Sequence, residues 1–311
     1  MIRRGLMVPL LLLIAVIAGC SALRIGYRHA DTYLAWRADE YFDFNAQQKA
    51  GFDERLKRLL AWHRYEQLPE YVAFVEAAVK KGQAGLKRDD IMWFVDGIKA
   101  RYRTIVQHGM DDAVDMLVTL TPDQIVALQN QWDKDNRKFV KERALDGSPE
   151  ERKRERQKRV KDEIKDWTGH LTDEQEEKIT ALFEAVPFIN HLRHQDRIRR
   201  QKEFLEVQKL RGNKQAFRQR LQAWLPDWEK GRTPEFERLS AEVYDKRIQF
   251  YIAVEKILTP EQREHVWQRL QKFADDFRSL SKKPAAAGGD PAWAEKIALA
   301  HVFILDAHVL E

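Results

Sequence analysis

Leu120-Thr121-Pro122-Asp123-Gln124, with Ile125, Leu128, Trp132 and Phe139 behind it, is the stretch whose reading decides the fold. Its first five residues have the chemistry of a helix start. The Thr hydroxyl accepts from an orphan amide, Pro suits the first helical position, the acid faces the positive end of the dipole, and Gln reaches back to the cap amide. The apolar residues behind it recur at helical steps and line one stripe. The same start recurs at Leu171-Thr172-Asp173-Glu174-Gln175 and Leu258-Thr259-Pro260-Glu261-Gln262, more loosely at Phe44-Asn45-Ala46-Gln47-Gln48, and in part at Thr233-Pro234-Glu235. The simplest reading of each is a capping box. Recognition of a partner through Asn45, Gln48, Leu120, Thr121, Gln124, Leu171, Thr172, Gln175, Leu258, Thr259 and Gln262 is the second. A hydrophobic staple is available only where Ile125 can meet Leu120, because Glu176 and Arg263 hold that place in the other copies. The intervals between the four caps, 76, 51 and 87 residues, are too unequal for a solenoid.

Helical spacing continues in Leu239, Val243, Phe250, Val254 and Ile257 and in Val266, Leu270, Phe273, Phe277 and Leu280, while no stretch alternates apolar and polar for long. Breaks fall at Gly82-Gln83-Ala84-Gly85, Asp146-Gly147-Ser148-Pro149, Arg211-Gly212-Asn213 and Gly231-Arg232-Thr233-Pro234. They divide residues 27–281 into eight to ten helices with short connections. The fold class is therefore all-α: an elongated antiparallel bundle, single or as two adjoining ones.

The chain begins Met1-Ile2-Arg3-Arg4, runs apolar from Leu6 to Ile17, and then reads Ile17-Ala18-Gly19-Cys20. A basic start, about a dozen apolar residues and small residues at a cut site form a secretory signal too short to span a bilayer. The end of it resembles the bacterial lipobox, which implies cleavage before Cys20 and acylation of its thiol and amine. Residues 1–19 are then signal peptide, 20–281 the helical lipoprotein domain and 282–311 a linker with an atypical tail. Two acyl chains give stable attachment where one is marginal. Ser21 in place of the aspartate that marks inner-membrane retention points to the outer membrane, on its periplasmic face. Cys20 is the only cysteine, so no disulfide and no thiolate metal site remains once it is acylated. Without residues 1–19 the balance is 52 basic against 49 acidic residues, or +3, which does not point to a nucleic-acid partner.

The recurring start is similar to the LTxxQ signature of Spy- and CpxP-type periplasmic proteins, which are helical, cradle-shaped and associated with chaperoning and envelope stress; the likeness covers five-residue islands. A broader one rests on Trp36 to Phe44 with Gln48, Leu60-Ala61-Trp62-His63-Arg64, Glu66-Gln67-Leu68-Pro69, Asp166-Trp167-Thr168-Gly169, Tyr244-Asp245-Lys246-Arg247 and Leu258 to Leu280. Together these resemble an uncharacterised family of Gram-negative lipoproteins known only as a domain of unknown function. That implies an exported helical lipoprotein and no activity. The end of the chain, from the Lys282-Lys283-Pro284 linker onward, falls outside the likeness; Trp293 to Leu310 reads as a short docking helix or an atypical terminus.

Signs of catalysis are few. No phosphate loop, dinucleotide fingerprint, HExxH or nucleophile elbow occurs, and none of the nine histidines has a Glu three residues before it, as a di-iron bundle needs. His191 with His194, and His63 with Glu66, stand one turn apart and read as surface or core-edge histidines. No catalytic residue, cofactor or metal is expected. Glu150 to Lys165 mixes charge signs as a solvated helix does. Arg193, Arg197, Arg199, Arg200 and Lys202 against Asp196 are more one-sided and read either as a solvated face or as a basic strip for anionic headgroups or acidic clients. Trp62, Trp93, Trp132, Trp167 and Trp267 read as core anchors. Two function classes remain: a membrane-anchored, non-enzymatic scaffold that holds protein clients, and a factor that docks one dedicated envelope partner.

Overall fold

The structure is a computed structural model that describes residues 22–282. Among them the helices are α1 (Ala22–Arg28), α2 (Ala30–Phe42), α3 (Ala46–Trp62), α4 (Leu68–Gln83), α5 (Arg88–Leu117), α6 (Pro122–Glu142), α7 (Pro149–Thr168), α8 (Asp173–Phe183), α9 (Asn190–Gln208), α10 (Lys214–Trp224), α11 (Pro234–Ile257) and α12 (Pro260–Ser281). A π-helical stretch, His63–Gln67, makes α3 and α4 one continuous rod, so the described residues form eleven rods and no strand. The all-α bundle read from the sequence is what is found, with ten rods between the breaks and α1 ahead of them. Signal segment, Cys20 and the tail from Lys283 onward lie outside the described residues.

The caps form as the residues dictate. Asn45, Thr121, Thr172 and Thr259 each accept from the amide of the Gln three residues on, which reaches back to the cap amide in turn. Thr233 caps α11 on one side only. Ser148 with Glu151 makes a fifth complete box, at a place that read from sequence only as a break.

Helix contacts repeat in two halves. In the first, α2 packs on α3 and α6, and α3 on α5; in the second, α7 packs on α8 and α12, and α8 on α11. The rod that continues from α3, namely α4, lies antiparallel on α12 of the second half, and α9, which follows α8, lies antiparallel on α6 of the first. Each half thus lends a helix to the other. The 30-residue α5, about 45 Å at helical rise, bridges the halves by touching α3, α4, α10 and α11.

The two exchanged pairs differ in chemistry. Between α4 and α12 lies an apolar cluster of Val72, Phe74, Val75, Val79 and Ala274, joined by Trp93, Trp267, Leu270 and Phe277. Gly82 belongs to this contact, since a Cβ there would fall 2.1 Å from the Trp267 ring. Between α6 and α9 the equivalent place is polar. Asn136, fifteen residues past Thr121 as Ala274 is past Thr259, exchanges amide hydrogen bonds with Gln201 and accepts from Arg197 at 3.1 Å.

Helix α1 docks where α4 begins and α12 ends. Tyr27 joins Leu68, Leu280, Tyr71 and Phe277, and its hydroxyl hydrogen-bonds with Nδ1 of His63 at 2.8 Å. Arg24 pairs at 3.1 Å with Asp276, whose side chain is buried. Burial pushes the His63 imidazole down to about 4 from its usual 6.5 and the Tyr27 phenol up to about 12. A histidine depressed in the folded state supports folding above its unfolded pKa and loses that support as pH falls from 6.5 towards 4, at roughly 1.4 kcal/mol per unit. Denaturant titrations should therefore show wild type losing about 2 kcal/mol more stability between pH 7 and pH 4.5 than His63→Phe does. Equal pH slopes for the two proteins would mean that His63 is not held neutral.

Candidate functional site

The four motifs come together as two pairs. At the first junction, where α2, α3, α5 and α6 meet, the Gln48 Nε2 donates to Gln124 Oε1 at 3.1 Å and the Gln124 Nε2 to Gln48 Oε1 at 2.6 Å. Gln48 donates also to the Thr119 carbonyl at 3.1 Å, and Gln124 to the Asp43 carbonyl at 2.9 Å, each two residues ahead of the partner's cap. Each oxygen accepts in addition the amide of its own cap, Asn45 or Thr121. Both amides thereby use two acceptor and two donor positions, which is full satisfaction for a buried carboxamide.

The second junction repeats this bond for bond. Gln175 and Gln262 donate to each other at 2.8 and 3.0 Å; Gln175 donates to the Ile257 carbonyl and Gln262 to that of His170. The residues ahead of the caps, Phe44, Leu120, Leu171 and Leu258, are all buried. Ile125 packs in the cluster of Phe44, Met116 and Leu120, where its staple was expected. Irregular in sequence, the intervals are regular as pairs: 76 residues within the first and 87 within the second. One signal was on view, since all four copies carry Gln where a capping box accepts Glu equally well. Only the amide can donate across a junction, and the box that does carry Glu, at Ser148, stands exposed and unpaired with another.

The arginine run of α9 does not present one basic face. Asp196 is buried within it, 6% exposed, and draws Arg199 at 2.7 Å and Arg200 at 3.3 Å inward, with Arg232 at 3.8 Å. Arg199 also bonds Glu203 and the carbonyls of Trp228 and Lys230, and Arg200 and Arg232 lie over the Trp228 ring. A carboxylate taken out of water needs partners of this kind, and through them these arginines hold the α10–α11 connection against α9. Arg197 turns to Asn136, Arg193 bonds Asn190, and Lys202 is exposed. On α7, Arg156 is likewise no solvated charge: it lies over Phe183 and donates to the carbonyls of Phe183 and Val186. Trp62, Trp93, Trp132, Trp167 and Trp267 are all half-buried at the edges of clusters; Trp62 stacks on His108 with 3.7 Å between centroids.

A cleft of about 710 Å³ opens between the end of α6, the turn behind it and the start of α9, within the range of ligand sites. Val140, Ala144 and Ile198 are its apolar lining, and Asp133, Arg137 and Lys141 follow one another at four-residue steps on its rim with no ion pair among the described residues. His194 stacks on Phe139 at the inner end. Burial first, then Arg197, holds its imidazole below the usual range, and its Nε2 is buried without a hydrogen-bond partner. Among the described residues no three His, Cys, Asp or Glu stand together as metal ligands would, and no helix is long and apolar enough to cross a membrane.

Gln124→Glu separates pairing from capping. It keeps the bond to the Thr121 amide but cannot donate to Asp43 or Gln48, and should cost about 2–4 kcal/mol in denaturant unfolding, whereas Thr121→Ser should be nearly silent. Gln48 and Gln124 should couple by at least about 1 kcal/mol in a double-mutant cycle. Additive effects would reduce the motif to four independent caps.

No curated protein and no solved structure matches the chain significantly. A family model does, across residues 40–237, and it spans both halves of the bundle, taking in three of the four glutamines and the whole cleft while leaving out the final motif and α12. With more than half of its length matched, the chain belongs to DUF6279, a family of unknown function.

Proposed function

We propose that this protein is a lipoprotein anchored through Cys20 to the periplasmic face of the outer membrane, and that its bundle is a non-enzymatic scaffold that docks a protein partner at the α6–α9 cleft. The observation that supports docking is the contrast between the motifs and the cleft. The motif glutamines and their caps are consumed by bonds to one another, while the cleft keeps an apolar floor beside rim charges that make no ion pair among the described residues. A holder of many unfolded clients is expected to expose a broad apolar surface. Here the exposed large hydrophobics among the described residues are Trp36 on α2, Val126 on α6 and Leu210 in the turn after α9. A compact apolar floor with a charged rim is the anatomy of a dedicated interface, and it favours one partner over a client-holding cradle.

Anchoring is tested by palmitate labelling: Cys20→Ala should leave the precursor uncut and unlabelled, and equal labelling of variant and wild type would remove the lipoprotein reading. Docking is tested in the intact envelope with a photocrosslinker in place of Lys141. One discrete adduct that disappears in Ile198→Asp is the expected result. A smear of many adducts would favour client holding, and no adduct would sink both readings.

A further inference from the structure

Helix α1 starts two residues after Cys20 and is fastened to the body almost from its first residue. Arg24 meets Asp276 at 3.1 Å, and one turn further along both helices Tyr27 clusters with Leu280. The two helices therefore run in the same direction, and the start of α1 points back along the α12 face that carries Asp276. At helical steps back from Asp276 on that face stand Lys272 with Phe273, and then Arg269. Here α12 meets the end of α7. The Trp167 ring lies 6.1 Å from that of Phe273, and the Arg269 guanidinium lies over the indole at 4.8 Å.

We infer that this face, around Trp167, Arg269 and Lys272, lies against anionic phospholipid headgroups. The inference rests on the anchoring reading above and adds to it an orientation. Chain length favours it. Two residues of chain reach at most about 7 Å, so an anchor at Cys20 keeps the start of α1 close to the bilayer whatever path those residues take. A helix fastened by Arg24 and Tyr27 passes that constraint to the body, where a loose linker would leave the body free to turn. Chemistry favours it too. An indole, apolar in its ring and with one donor at its edge, suits the headgroup layer, and Trp167 is only half-buried. Lys272 is exposed and makes no ion pair among the described residues. Helix α1 carries Arg24 and Arg28 and no acid. Of the acids around this face, Asp276 is paired with Arg24 and Asp275 with Arg278, and Asp166 is exposed beside Trp167. Arg28, Arg269 and Lys272 thus outnumber it, and a surplus of cation beside a bilayer attracts anionic headgroups.

The acylated full-length protein, reconstituted in vesicles of phosphatidylethanolamine and phosphatidylglycerol, tests this. With Cys20 acylated, a nitroxide can be placed at Lys272→Cys alone, or for comparison at Val126→Cys. Val126 is exposed near the first glutamine junction, and from there α3 and the turn behind it run about 30 Å to Leu68 beside α1. Collisions with a water-soluble nickel relaxant should be several-fold rarer at position 272 than at 126. Equal collision rates in protein that floats with the vesicles overturn this inference and leave the anchor standing. Protein that does not float overturns the anchoring reading, and the inference with it. As a second readout, p-benzoylphenylalanine in place of Trp167 should form lipid adducts on irradiation, reduced several-fold by Arg269→Glu with Lys272→Glu. Adducts within the chain alone, or none, overturn the inference as well.

Discussion

The reciprocal glutamine pair is the interaction on which the rest of this bundle depends. A helix start leaves orphan amides, and a helix end leaves orphan carbonyls. At each junction two starts and two ends converge, so four sets of orphans meet in a partly buried place. A carboxamide at the third helical position solves this because one end accepts and the other donates. Its oxygen closes the box on its own helix, and its nitrogen reaches the carbonyl of the loop opposite. Two such groups facing each other exhaust each other's capacity. A hydroxyl, a carboxylate or an ammonium in the same place would leave at least one buried group unpaired, at about 1–3 kcal/mol each.

Because the pair joins loops 76 and 87 residues apart, it fixes topology as well as helix ends. Once the α2–α3 corner is tied to the α5–α6 corner, α3 has to run beside α5 and α2 beside α6, and the same tie orders α7, α8, α11 and α12. The helices that leave the corners, α4 and α9, extend beyond their own half and find partners in the other. Long-range order here comes from these polar ties at two points together with the apolar contact of α4 on α12.

Helix content, breaks and caps were legible in the sequence because each is a local matter of a few residues. Pairing was not. Nothing in Leu120 to Gln124 says that Phe44 to Gln48 lies opposite, since the bond is made after 76 residues of intervening chain have folded back. The α9 arginines were misleading for a related reason: counted along the chain they form a basic strip, yet Asp196, one acid among them, is buried and turns two of them inward. Charge runs report composition, and burial decides direction. The cleft was invisible for a third reason: its lining, Asp133 to Gly147 with His194 and Ile198, is brought together only when α9 folds back on α6.

The two exchanged helix pairs show how one packing pattern, used twice, gives two different contacts. At the equivalent register α12 has Ala274 and α6 has Asn136. The small apolar residue lets α4 close on α12, with Trp267 resting on Gly82. The amide instead needs partners, finds them in Gln201 and Arg197, and is half-buried where Ala274 is fully buried. Replacing burial by hydrogen bonds at that point gives up apolar contact worth about 25 cal/mol per Å². The first pair of helices closes along an apolar seam; the second, built to the same plan with polar groups at its centre, meets over a smaller contact.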